Sequence, residues 1–160
     1  MRSRKVVRAQ QLASTPTVEI RSFMKVDGDL IPIEEFQGPI IDRLYIEGAI
    51  EMSVGRQTLL SRDMVDYIDQ LWAYLVEGLG EVMVGREFST CYPDMPLTIV
   101  LRPQGDRVAI KVGSRAEVSV MRNELCRALV SAGTVFFERL RRFESVGDRY
   151  LRILAELTTV

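Results

Sequence analysis

The sequence predicts an α+β domain, with an antiparallel sheet, one long central helix, and C-terminal helices packed on one face. Three observations lead there. Several short segments alternate apolar and polar residues, the mark of strands with one buried face. Parallel strands covered on both faces would instead read as continuous apolar runs. Two longer segments repeat their apolar residues at spacings of three and four, as amphipathic helices do. Runs of strands followed by helices, rather than a strict strand–helix alternation, place the chain in the α+β class. Its 160 residues suit one domain, 47% apolar and 27% charged, near the globular average. Residues 1–16 read as a flexible basic arm and 17–160 as the single domain.

The elements follow in order. Val18, Ile20, Ser22, Met24 and Val26 alternate with Glu19, Arg21, Phe23 and Lys25, a strand that Asp27-Gly28 turns into a hairpin. Pro32 in the short return cannot donate to a ladder and belongs at an edge. Gly38-Pro39 marks a turn. Over residues 43–54, Leu44, Ile46, Gly48, Ile50, Met52 and Val54 share one strand face. Gly48 interrupts the stripe, which implies a bulge or a close approach by a packed helix.

The next segment reads as a helix capped by Ser61, with Asp63 in its first turn. Met64, Ile68, Leu71, Leu75, Leu79 and Val82 form its apolar stripe, flanked by Trp72 and Tyr74. The glycines at 78, 80 and 85 are expected to end it early. Leu97, Ile99 and Leu101, a turn at Pro103–Asp106, then Val108, Ile110 and Val112 make a hairpin. Residues 117–120 fit one more short strand. A second long helix runs from about Arg122 to Phe143. Its two adjoining stripes, one through Leu125, Leu129 and Phe136, the other through Cys126, Val130 and Phe137, span more than the ~100° a one-sided helix needs. Either a terminal helix near residues 147–157 folds back and lays Tyr150, Ile153, Leu154 and Leu157 on Val130 and Phe137, or a second copy of the chain supplies that cover, chain economy favouring the fold-back.

Composition excludes whole classes of chemistry. The chain has no histidine, which removes Ser-His-Asp and Cys-His catalysis and metal sites built on imidazole. No phosphate-cradling GxxxxGK[ST] or GxGxxG run and no GxSxG is present. Cys91 and Cys126 lack metal or redox spacing and read as reduced, mostly buried thiols. No stretch reaches the ~20 apolar residues of a membrane helix. The basic start lacks the apolar core of about 7–15 residues that a secretory signal needs, and the cytoplasm is the expected location. No cofactor or metal is expected, and the chain reads as a non-enzyme.

Charge is segregated. Residues 1–18 hold four bases and no acid, residues 19–81 hold 13 acids against five bases, and residues 86–160 hold 12 bases against nine acids. On the first helix, Asp63, Asp66, Gln70, Ala73, Glu77 and Glu81 form the polar face, with Asp69 at its border. No base follows Arg62 until Arg86. Uncompensated like charges at helical spacing cost roughly 0.2–0.5 kcal/mol per pair. A basic partner for that face would offset this cost, the competing reading being an ordinary solvated face. Tyr45, Trp72 and Tyr92 lie near the same surface, Trp72 more as core than contact. The predicted partner-binding set is therefore Asp63, Asp66, Asp69, Gln70, Glu77, Glu81, Tyr92 and Asp94.

Three segments carry a resemblance: Tyr45–Glu51, Asp69–Tyr74, and Tyr92-Pro93-Asp94-Met95-Pro96. They resemble small bacterial α+β proteins of the immunity type, which accompany contact-delivered or polymorphic toxins. The resemblance spans about residues 43–143. It implies a mode of action, binding a cognate toxin and blocking its active site or substrate surface, and transfers no site residues. An acidic helix that mimics a polyanion would suit a toxin with a basic surface. The alternative is a nucleic-acid-associated module using Arg2, Arg4, Lys5 and Arg8 with Arg139, Arg141 and Arg142, against which the acidic block argues. A third reading is a metal-assisted hydrolase built on carboxylates. The expected assembly is a monomer or weak homodimer.

Overall fold

Strand β1 (Val18–Val26) is the hub of the first sheet. The computed structural model describes residues 15–143 and 147–159, so the basic residues of the arm lie outside the described part. Asp27 and Gly28 both take positive φ, 50° and 87°, as the tight turn into β2 (Asp29–Pro32) requires. On its other side β1 pairs antiparallel with β3 (Glu47–Val54), Val18 opposite Val54 and Met24 opposite Gly48. β3 continues through a turn into β4 (Gln57–Leu60), and its first residues pair with the two-residue β5 (Asp66–Tyr67). The order is β2-β1-β3-β4, with β5 also on β3. Pro32 sits on an edge strand, where its missing N–H costs no ladder bond.

Helix α1 (Ile68–Met83) then carries the chain to a second sheet, the meander β6 (Phe88–Cys91), β7 (Thr98–Gln104), β8 (Arg107–Val112) and β9 (Val118–Met121). The sequence pointed to one sheet, and the chain builds two, both antiparallel. β3 shifts register between Met52 and Ser53, β4 ends after four residues, and no ladder joins it to β8. Side chains span the gap instead. Gln57 donates to the Ala116 carbonyl at 3.4 Å, and Arg115 to the Thr58 carbonyl at 2.8 Å. Helix α2 (Arg122–Leu140) follows β9 directly, and α3 (Asp148–Thr158) closes the described chain.

The core lies where α1 and α2 meet the sheets. Trp72 is fully buried, and its indole N–H donates to the Ser22 hydroxyl at 2.9 Å. This explains a serine on the core side of β1: a buried indole donor needs an acceptor. Trp72 stacks on Phe136 with centroids 6.0 Å apart, Phe136 meets Phe137 edge-on at 5.1 Å, and Phe137 stacks on Tyr150 at 5.1 Å. The ring chain runs from α1 through α2 to α3, so the terminal helix does fold back over the wide apolar arc of α2. Leu154 is buried beside Gly133 and Trp72.

Several local expectations change. Gly48 marks a close approach: a Cβ there would strike the Phe23 carbonyl and crowd Ile68 at the start of α1. α1 is not cut short by glycine but runs through Gly78 and Gly80 to Met83. Gly78 is needed because a Cβ would run into the Phe88 ring. Phe23, on the face of β1 that reads as polar, is buried, with the Arg62 guanidinium 4.4 Å and the Arg21 guanidinium 5.1 Å from its ring centroid. Arg62 is held there by Glu51 at 3.0 Å. Both cysteines are free, but Cys91 is exposed on edge strand β6 rather than buried, and Cys126 is half-buried.

Candidate functional site

The start of α1 differs from the sequence reading, and the difference redistributes the predicted site. Ser61 does not cap the helix. Its hydroxyl is spent on the Asp63 carboxylate, which holds that carboxyl below its ordinary value. The chain turns at Ser61–Met64, extends as β5, and enters the helix only at Ile68, whose N–H donates to the Ile46 carbonyl at 2.9 Å. Asp66 is therefore not on the helix face. It is 5% exposed, and its carboxylate accepts the Asp94 N–H at 3.0 and 3.1 Å and its neighbour Tyr67's N–H at 2.7 Å. Tyr92 is 3% exposed, its hydroxyl pointing at the Met64 sulfur, and burial pushes its phenol well up. Asp66 and Tyr92 thus clamp the 92–97 loop to the entrance of α1, and neither is offered to a partner. The Asp94 side chain remains exposed although its backbone is the anchored group.

The remaining acids divide further. Asp63 is exposed, and Gln70 is half-buried. Glu81 is engaged by Arg86, which folds back from just past the helix end and lowers its carboxyl. The base the sequence seemed to lack is thus supplied by the loop after α1.

Asp69, Tyr74 and Glu77 come together with Arg149 and Tyr150 at the seam between α1 and α3. The Tyr150 phenol is raised by burial first, then by Glu77, with Asp69 and Tyr74 adding to the effect and Arg149 opposing it. Asp69 is raised because it is desolvated, and its Oδ1 is buried with no hydrogen-bond partner among the described residues. A carboxylate oxygen shut from water without a donor is an unfavourable arrangement. The backbone N–H groups of Gln70 and Asp69 offset part of that cost by favouring the charged carboxylate. The partner residue Tyr150 was read from sequence only as core cover, because its place beside Asp69 depends on the fold-back of α3.

A second surface was missed. Ile41 is 90% exposed, Leu44 76% and Tyr45 56%. The alternation over 43–54 assigned Leu44 to a buried strand face, but pairing begins only at Glu47. Tyr45 leans on Tyr67, centroids 5.4 Å apart. The signal available was the dense apolar run after Gly38-Pro39, a turn that no strand follows at once.

Of the basic residues on α2, Arg139 is structural, donating to the carbonyls of Glu34 at 2.7 Å and Phe36 at 2.8 Å. Arg141 pairs with Glu138 at 3.0 Å, and Arg142 is exposed. Among the described residues no three metal-ligating side chains converge, and no helix is long and apolar enough to cross a membrane. Compared with family models, curated proteins and solved structures, the chain matches none of them.

Proposed function

We propose that this chain is a non-catalytic binding protein of the immunity type, which neutralises a cognate toxin by holding a basic surface of it. The observation that carries the reading is the acidic α1–α3 seam, where the exposed Glu77 and the half-buried Asp69 act on Tyr150 beside Tyr74. A lysine or arginine from a partner would pair with the exposed Glu77 carboxylate at this seam. The exposed acids Asp63, Glu77 and Asp94 would steer such a partner inward. Asp66 and Tyr92 contribute by fixing the loop that carries Asp94.

The test is coexpression with the toxin domain encoded by a neighbouring gene, scored by growth and by association kinetics of the purified pair. The chain should restore growth, and its association rate should fall with salt and by about tenfold in Glu77→Lys, with the folded state intact. Failure to protect or bind, or an association rate indifferent to both salt and Glu77→Lys, overturns the reading.

A further inference from the structure

We propose that the loop at residues 38–46 is the anchoring surface for the partner, and that the partner presents there an apolar side chain flanked by lysine or arginine. This rests on the binding role proposed above and names the surface and the chemistry. Among the described residues five large apolar side chains are exposed, and three of them, Ile41, Leu44 and Tyr45, fall within five positions of this loop. Val84 and Val135, the other two, stand singly, as scattered surface apolar residues commonly do.

The loop is held in place at both ends. Phe36 is buried and meets Phe143 edge-on at 5.3 Å. Ile46 is buried at the far end. Between them the Leu44 N–H donates to the Asp42 carboxylate at 2.9 Å, and Tyr45 rests on Tyr67. A loop whose backbone and Tyr45 ring are already held loses less freedom on binding, and aromatic and apolar anchors beside a pocket are the usual centre of an interface. A cleft of about 210 Å³ opens between the loop and the β1–β2 turn, its apolar wall including Met24, Ile40 and Tyr45.

Charge selects the occupant. The cleft is also lined by Asp27, Asp42, Glu47 and Lys25. Lys25 is already matched to Glu47 at 3.4 Å, and Arg43 in the loop is itself engaged. Acids outnumber bases at the rim, and Asp94 acts on Tyr67 beneath Tyr45. Such a rim repels an anionic lipid surface. It also disfavours a second copy of this chain, because a two-fold contact would set the same acids against themselves. It favours cations around an apolar plug.

The probe is a phage-displayed library of random twelve-residue peptides panned against the full chain alone, the selected peptides then being titrated against the double variant Ile41→Ser, Leu44→Ser. Selected peptides should carry an apolar residue flanked by lysine or arginine. Their dissociation constants should rise at least tenfold in the double variant and about threefold in Asp27→Asn, Glu47→Gln, with melting unchanged in both. The proposal is overturned if selected peptides lack cations or bind the double variant equally well. It is equally overturned by a loop-dependent doubling of mass in light scattering, which means a second copy, or by loop-dependent binding to vesicles of phosphatidylcholine and phosphatidylglycerol, which means a membrane. The two readings fail separately. Peptide selection without toxin protection removes the immunity reading and leaves the surface. Protection that the double variant leaves unchanged removes the surface alone.

Discussion

Replacing Asp66 separates a clamp from a contact. In Asp66→Ala the Asp94 N–H loses both carboxylate oxygens, at 3.0 and 3.1 Å, and the Tyr67 N–H loses its acceptor at 2.7 Å. Hydrogen bonds to charged groups contribute about 1.5–3 kcal/mol each, and stranded buried donors add their desolvation cost. The Tyr67 bond spans adjacent residues and is the weaker of the two, so the expected loss is about 2–4 kcal/mol. For a domain of this length each kcal/mol moves the melting temperature by about 2–4 °C, so a loss near 3 kcal/mol lowers it by roughly 6–12 °C. Asp66→Asn keeps one acceptor oxygen and should lose about half as much. Urea denaturation is the assay, read by the fluorescence of Trp72, the chain's single tryptophan and a buried one. The midpoint should fall with the slope unchanged. An Asp66→Ala chain within about 0.5 kcal/mol of the parent, the range of ordinary surface substitutions, would refute the clamp and return Asp66 to the surface.

Two further outcomes are expected. Ser22→Ala should cost about 1–3 kcal/mol by stranding the Trp72 indole N–H, and pairing it with Trp72→Phe in a double-mutant cycle should recover part of that loss; strictly additive effects in urea titrations would contradict the bond. Asp69 has its carboxyl raised by burial, so the folded chain holds that proton more tightly than the unfolded one, and this site costs stability as pH rises through and above the ordinary aspartate value of about 4. Asp69→Asn should therefore stabilise the chain at neutral pH, with the advantage shrinking as the pH is lowered towards that value and gone below it; an advantage that grows with acid would have the wrong sign.

Legibility followed the range of the interaction that decides each element. The β7–β8 hairpin was readable because alternation and a Gly-Asp turn are local, and Ile99, Leu101, Val108, Ile110 and Val112 are buried as that alternation required. The start of α1 was not. Ser61 has the right chemistry for a cap, but Asp63 takes its hydroxyl, and the true entrance is fixed by partners 28 residues away for Asp66 and 22 away for Ile68. Phe23 looked misplaced among charges because its cover is Arg62, brought from β4's far side by Glu51. Within the candidate site, Asp69 and Glu77 were legible from the helical period, and Tyr150 was not, since α3 must first return. Leu44 misled because a strand pattern extends in sequence past the point where pairing begins.

The aromatic ladder from Trp72 through Phe136 and Phe137 to Tyr150 also ranks the helices by how freely they can open. Its outer rung belongs to α3, so local opening of that helix bares the flank of Phe137 and Gly133 while α1 and α2 stay joined through Trp72 and Phe136. Amide hydrogen exchange faster in α3 than in α1 and α2 is the signature such a hierarchy leaves.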